Sequence, residues 1–207
     1  WLNCMWLKGV VMRAHYNGLI PRNPFIQFHI SPNVKEREYL TEDELKAVMT
    51  HEFADSKLAY IRDIFIFASF TALSFVDIQE LTNDNIVEVN GEKWILSKRH
   101  KTKVAFQVKL LDIPLQIVER YRPMQKDNRI FPGLNYWSIC KPLKRMIREC
   151  GITKSISFHC SRHGFATLAL SKGMPIESVS RVLGHTNIVT TQLYAKITTQ
   201  KLDNDLT

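Results

Sequence analysis

Apolar residues recur at helical spacing over residues 1–17, and Asn17-Gly18 supplies a helix stop. Pro21, Pro24 and Pro32 follow among polar neighbours, each removing a backbone donor and biasing its predecessor away from helix. This predicts a linker and a domain boundary at about 20–38, with residues 1–20 as the last helix of an upstream domain. Thr41-Glu42-Asp43-Glu44 reads as a capping box that opens the next helix. Lys57 to Thr71 is apolar nearly all round, the pattern of a helix buried on every side, and Asp77 to Leu81 reads as a short third helix. The period then changes to two. Ile86–Val89, Lys93–Leu96 and Val104–Leu110 are short β-favouring runs, and Asn90-Gly91 between the first two is a hairpin signal. Helical spacing returns over Pro114 to about Lys126, Tyr136–Cys150 (interrupted by Pro142), Cys160–Lys172, Ile176–Leu183 and Val189–Ile197. The fold class expected is mainly α with one small three-stranded antiparallel sheet.

Composition narrows the partners. The chain has 207 residues, 45% hydrophobic and 23% charged, which suits a folded domain and is too apolar for a disordered basic tail. The longest stretch without charge, Ile64–Val76, is 13 residues, enough for a buried helix and too few to cross a bilayer. Trp1 in place of Met, with no apolar leader over residues 1–17, predicts a piece of a longer chain. Cys4, Cys140, Cys150 and Cys160 are too scattered for a disulfide framework or a metal site, which favours a reducing, cytoplasmic setting. The net charge of +8 makes nucleic acid the first partner to consider.

Candidate chemistry concentrates in the last third of the chain. His159 and Arg162 are three apart, so at a helix start both reach one anion. Gly184 ends a helix and presents His185, and Tyr194 follows about two helical turns later. A phosphate held among these groups has a guanidinium for its charge, imidazoles as donors and a phenol as nucleophile. A phenol is a poor nucleophile while protonated, with a reference pKa of about 10, so neighbouring cations are part of its activation. Taken singly the same residues are unremarkable. A Tyr on an amphipathic helix is usually a core or surface aromatic, and a His after Gly is often only a cap. His163 reads as structural, Cys160 carries no assigned chemistry, and Trp94 and Trp137 read as core.

The strings from Phe158 to Thr167 (Phe-His-Cys-Ser-Arg-His-Gly-Phe-Ala-Thr) and from Leu183 to Tyr194 (Leu-Gly-His-Thr-Asn-Ile-Val-Thr-Thr-Gln-Leu-Tyr) closely resemble the two C-terminal boxes of the tyrosine recombinases, the phage and transposon integrase family. Tyr39-Leu40-Thr41 with Glu44-Leu45 resembles the start of that family's catalytic domain, and Arg22-Asn23-Pro24-Phe25 its linker. The resemblance covers roughly residues 20–197. It implies the DNA breaking-rejoining catalytic fold over 39–197, a core-DNA-binding domain ending in residues 1–20, a linker at 21–38 and a tail at 198–207. It also implies the roles. Tyr194 attacks the scissile phosphate to form a 3′-phosphotyrosyl link; Arg162 binds the non-bridging oxygens; His159 is the general acid/base; His185 donates to the transition state; and Lys101 protonates the leaving 5′-oxygen. The bond energy is kept in the phosphotyrosine, so neither ATP, metal nor other cofactor is implied. The partners implied are double-stranded DNA at attachment sites, further copies of the chain in a tetrameric synapse, and in some systems an accessory DNA-bending protein, all in a bacterial cytoplasm and without a membrane.

One departure stands out. The family's first arginine normally follows Thr-Gly-Leu, whereas this chain has Thr71-Ala72-Leu73-Ser74, with Asp77 at the usual acidic position. Ser74 offers one neutral hydrogen bond and no bidentate cation. Losing a preorganised donor typically costs about 10²–10³ in rate. The expectation is that Lys98, Arg99 or Lys103, dense beside Lys101, supplies the missing cation, with the run as a whole on DNA phosphate. The competing readings are a DNA-binding protein with a decayed pocket, a relaxing topoisomerase and a telomere resolvase. Leu202 and Leu206 in the polar tail are expected to contact a neighbouring protomer.

Overall fold

The computed structural model describes residues 2–28, 38–125 and 127–195. Two compact units divide the chain, Trp1–Glu36 and Arg37–Thr207. The first contains helix α1 (Leu2–Tyr16). It ends where Gly18 turns left-handed (φ 71°) and the amides of Gly18 and Leu19 return to the carbonyls of His15 and Ala14.

In the second unit α2 (Glu42–Thr50) starts at the expected capping box: Thr41 Oγ accepts from the Glu44 amide, and the Glu44 carboxylate accepts from the Thr41 amide. Helix α3 (Ser56–Thr71) is the centre of the core, with α2, α5, α6 and α7 packed around it and Ile61, Ile64, Phe65 and Phe67 fully enclosed. It ends at Ala72 in the left-handed conformation (φ 55°). Helix α4 (Phe75–Gln79) begins two residues before the predicted Asp77, because the hydroxyl of Ser74 caps it by accepting from the Asp77 amide.

The sheet is β1 (Ile86–Val89), β2 (Glu92–Lys98) and β3 (Ala105–Lys109), in that order and antiparallel throughout. Asn90 and Gly91 both have positive φ, the conformation the two-residue hairpin needs. Helix α5 (Asp112–Tyr121) stops earlier than predicted: Pro123 cannot donate, and residues Arg122–Met124 tighten into a 3₁₀ turn. Then come α6 (Tyr136–Glu149), which runs through Pro142, α7 (His159–Ser171), α8 (Ile176–Leu183) and a helical stretch over 189–195. Trp137, expected in the core, is 84% exposed. It occupies the second position of α6, on the face opposite the buried Ile139, Leu143 and Met146. No helix among the described residues is long and apolar enough to cross a membrane. The tail positions Leu202 and Leu206 lie outside the described residues.

Candidate active site

Three helix ends meet at the site: the C-termini of α3 and α8 and the start of α7. Gly184 ends α8 in the left-handed conformation (φ 60°), which turns His185 out of the helix. His185 Nδ1 is 2.8 Å from the Thr191 hydroxyl, tying that turn to the stretch that carries Tyr194. Tyr194 is 5% exposed and packs among Ala72, Ala166, Val179 and Leu183. Its ring meets that of His163 at 5.0 Å, edge to face, and His163 meets His159 at 5.1 Å, so the three form a ladder along α7. Arg162, one position round the helix, is buried; Nη1 donates to the Ala72 carbonyl at 2.9 Å and Nη2 to that of Leu183.

The hairpin supplies a second guanidinium. Strand β2 alternates, with Ile95 buried, Leu96 and Lys98 exposed and Arg99 buried again at 5% exposure. Backbone bonds from the Arg99 amide to Val104 O and from the Lys103 amide to Arg99 O close a tight turn with Lys103 at φ 57°. Lys98, Lys101 and Lys103 are left exposed around it. Because β3 packs against α8, Arg99 points inward beneath Gly184. Its Nη1 donates to Asp77 Oδ2 at 2.7 Å, and its Nη2 to the carbonyls of Val182 at 2.5 Å and Ala72 at 3.4 Å. Phe106 lies 4.0 Å under the guanidinium. Asp77 in turn accepts from the Ser74 hydroxyl and the His100 amide. Ser74 thus holds the carboxylate that holds Arg99, and Arg99 and Arg162 converge on the single Ala72 carbonyl.

The charges do not balance locally: two buried guanidiniums face one carboxylate. Burial alone would raise the Asp77 carboxyl, but the His100 amide, Arg99 and Ser74 stabilise the anion and bring it below the ordinary range. Burial lowers Arg99, with Asp77 opposing. Arg162 is lowered to about 10, first by burial and then by Arg99, and so keeps its proton at neutral pH. His185 is lowered to about 4, by burial first and then by Arg162, Arg99 and His159, so it is a neutral imidazole at neutral pH. Among the described residues, the one buried side-chain nitrogen or oxygen without a hydrogen-bond partner is Arg99 Nε. An anion brought here would meet a net positive, preorganised pocket, with helix-end carbonyls as the partners it displaces. The same residues contain no group of three His, Cys, Asp or Glu arranged to hold a metal ion.

Residues 38–201 match the phage integrase family. The chain belongs to that family. Tyrosine recombinase XerA of Pyrococcus horikoshii is 32% identical over 177 residues, covering 79% of this chain and 58% of that protein. Tyrosine recombinase XerC of Lactobacillus leichmannii is 26% identical over 211 residues, covering 95% of this chain and 71% of that one. The chain therefore spans little more than half the length of XerA. Among solved structures, the Tn1549 transposon integrase in complex with a circular intermediate DNA superposes with a TM-score of 0.78 at 18% identity, over 91% of this chain and 71% of that one. XerH recombinase bound to a palindromic difH substrate gives 0.67 at 22%, over 83% and 53%. At such identities the likeness is one of fold: the integrase-family catalytic domain, mainly helical around one small sheet.

Within that domain the structure brings Arg162, His185, Tyr194, Asp77, Ser74 and Arg99 together, with His159 at the exposed end of the aromatic ladder. It leaves Lys101 in the turn, outside the pocket. In the sequence Arg99 stands in one group with Lys98 and Lys103, both of which are exposed. Alternation along β2 is the signal that separates it from them. Gly184, expected as a helix stop, has a second role. An added Cβ there would lie 2.8 Å from Arg99 Cγ and 2.9 Å from Nε, so the missing side chain is also the space Arg99 occupies.

Proposed function

We propose that this chain is the catalytic part of a site-specific DNA recombinase, acting in a bacterial cytoplasm to integrate or excise a mobile element. The observation that carries the reading is the convergence of two buried guanidiniums beside a buried tyrosine, with only one carboxylate to offset them. A phosphodiester in the pocket takes the place of the Ala72, Val182 and Leu183 carbonyls as acceptor, and Arg99 and Arg162 stabilise its oxygens as they gain charge. Tyr194 Oη attacks phosphorus and forms the phosphotyrosyl bond. Its proton passes to His159. The bond from phosphorus to the 5′-oxygen breaks, and Lys101 protonates that oxygen once duplex lies over the hairpin. His185, neutral and held by Thr191, donates from Nε2 when Nδ1 accepts the hydroxyl proton. The reverse attack by a 5′-hydroxyl rejoins the strand, on the partner duplex if recombination is to result.

Ser74 is what favoured a pocket that had decayed to DNA binding alone. Arg99 supports the active reading instead: a second guanidinium is buried in the pocket, and Ser74 helps to fix it through Asp77. Protomers acting together on paired sites fit this chemistry, because each supplies one cut. The test is covalent trapping. The chain is incubated with a pool of nicked duplexes of randomised sequence, and SDS-resistant adducts are collected and sequenced. An adduct is expected that disappears in Tyr194→Phe and falls about 10²–10³-fold in Arg99→Ala. No adduct in the native chain, or one that survives Tyr194→Phe, refutes the proposal.

A further inference from the structure

The two ring nitrogens of His185 have different surroundings. Nδ1 lies 2.8 Å from the Thr191 hydroxyl, whereas Nε2 makes no hydrogen bond among the described residues. Burial and the charges of Arg162, Arg99 and His159 keep the ring neutral, so one nitrogen carries a hydrogen and the other a lone pair. Which nitrogen carries it decides whether His185 can donate to a phosphate oxygen.

Thr191 makes that choice. Its side chain is 0% exposed, and among the described residues its hydroxyl has a single hydrogen-bond partner, His185 Nδ1. With the hydrogen on Nδ1, the hydroxyl would accept it, and its own hydrogen would be buried without an acceptor. With the hydroxyl donating to Nδ1 instead, both groups are satisfied. The ring hydrogen then sits on Nε2, the nitrogen left free.

The same hydroxyl is tied to the nucleophile. Thr191 and Tyr194 are three apart on the helical stretch 189–195 and share its inward face, while Thr190, Gln192 and Leu193 are exposed. Tyr194 seats that stretch by packing among Ala72, Ala166, Val179 and Leu183. His185 belongs to a different element, the turn after α8, so Thr191 reaches Nδ1 only while the stretch is docked.

We propose that Thr191 is a positioning residue acting through His185: it fixes the ring hydrogen on Nε2, and only when the stretch carrying Tyr194 is docked. Donor and nucleophile thereby become competent together. The inference rests on the DNA-cleaving reading of the site. An undocked tyrosine leaves a pocket that also lacks an oriented imidazole donor, so a half-assembled site stabilises the phosphate poorly.

Long-range proton–nitrogen NMR correlation spectra of the full 207-residue chain, isotope-labelled at histidine nitrogen, read the tautomer directly. The His185 signal is assigned by its loss in His185→Gln. At neutral pH the native chain should show the Nε2–H form; a native Nδ1–H form overturns the proposal without any variant. Thr191→Val keeps the side-chain shape and removes the hydroxyl. It should give a mixture of tautomers and lower the rate of covalent trapping about 10²-fold, the scale of one lost donor. Thr191→Ser should restore both. Tyr194→Phe, which traps nothing, should keep the stretch packed and the Nε2–H form, whereas Tyr194→Ala should loosen the stretch and give the mixture. Thermal melts verify that each variant folds. A purely structural Thr191 would lower the melting temperature of Thr191→Val and leave the tautomer unchanged, which overturns the proposal. An unmixed His185 in Tyr194→Ala overturns it as well. If the variants mix the tautomers as expected but the native chain forms no adduct, the catalytic reading has failed and the linkage stands; if the adduct forms and the tautomer ignores Thr191, only the linkage has failed.

Discussion

Arg99 and Gly184 are a matched pair. Glycine is required at 184 on two counts: φ is +60°, and a Cβ would meet the Arg99 side chain at 2.8 Å. Gly184→Ala should therefore lose about 1 kcal/mol or more to backbone strain and displace Arg99 from Asp77 and Val182. Trapping of the adduct should fall about 10²-fold, near the effect of Arg99→Ala. The double variant separates a displaced arginine from a general loss of structure. If displacement is the cause, Gly184→Ala/Arg99→Ala traps adduct no worse than Arg99→Ala alone, because the two changes remove the same interaction. Additive losses would count against it. His185 gives a second prediction at this scale. Its folded pKa, about 4, lies below the ordinary 6.5, so the unfolded chain takes up a proton first as pH falls. Its contribution to stability is complete above about pH 6.5 and is lost progressively towards pH 4. Asp77, held below its ordinary value of 3.8, loses its own contribution only at lower pH. Melting temperatures between pH 7.5 and 4.5 should thus drop more steeply for the native chain than for His185→Gln. Parallel curves would mean that His185 is not held neutral.

At the scale of elements, what was legible in the sequence is what local chemistry decides. The capping box at Thr41, the Asn90-Gly91 turn and the Gly184 stop each fix a backbone geometry through a few adjacent atoms, and each element boundary there falls within one residue of the expected place. Two of the misplaced boundaries share a cause, a single residue outweighing the hydrophobic period. Ser74 starts α4 two residues early by capping it, and Pro123 cuts α5 short. The candidate site was legible as two boxes, because order and spacing survive in one dimension. Its second guanidinium was legible only as one of three neighbours. Choosing among Lys98, Arg99 and Lys103 needs the inward face of β2, and that face is set by the contact between β3 and α8, far apart in sequence. Trp137 departs from expectation for a related reason. Indoles are mostly buried, and the second position of a helix faces core or solvent according to what packs beneath it.

The whole molecule bears on assembly. Between α2, α3 and α7 lies an apolar groove of about 730 Å³, walled by Leu45, Met49, Phe70, Phe165, Leu168 and Met174. Lys46, Lys172 and Glu42 stand at its rim, Lys172 and Glu42 paired at 2.9 Å, so the rim keeps a net positive charge. The segment Lys201-Leu202-Asp203-Asn204-Asp205-Leu206 offers two leucines four apart with two aspartates between them, a composition that complements both the apolar walls and the basic rim. If the tail of another copy is the occupant, the groove of one protomer and the tail of the next form one interface. Deleting residues 198–207, or making Met174→Glu at the exposed edge of the groove, should each reduce self-association on DNA, read by sedimentation of the complexes. Mixing the two variants decides between exchange and self-occupancy. A tail-deleted chain keeps an open groove and a Met174→Glu chain keeps a free tail, so a mixed pair contains one intact interface and mixing should regain part of the lost assembly. If each tail instead fills its own groove, mixing restores nothing, because neither chain has both halves.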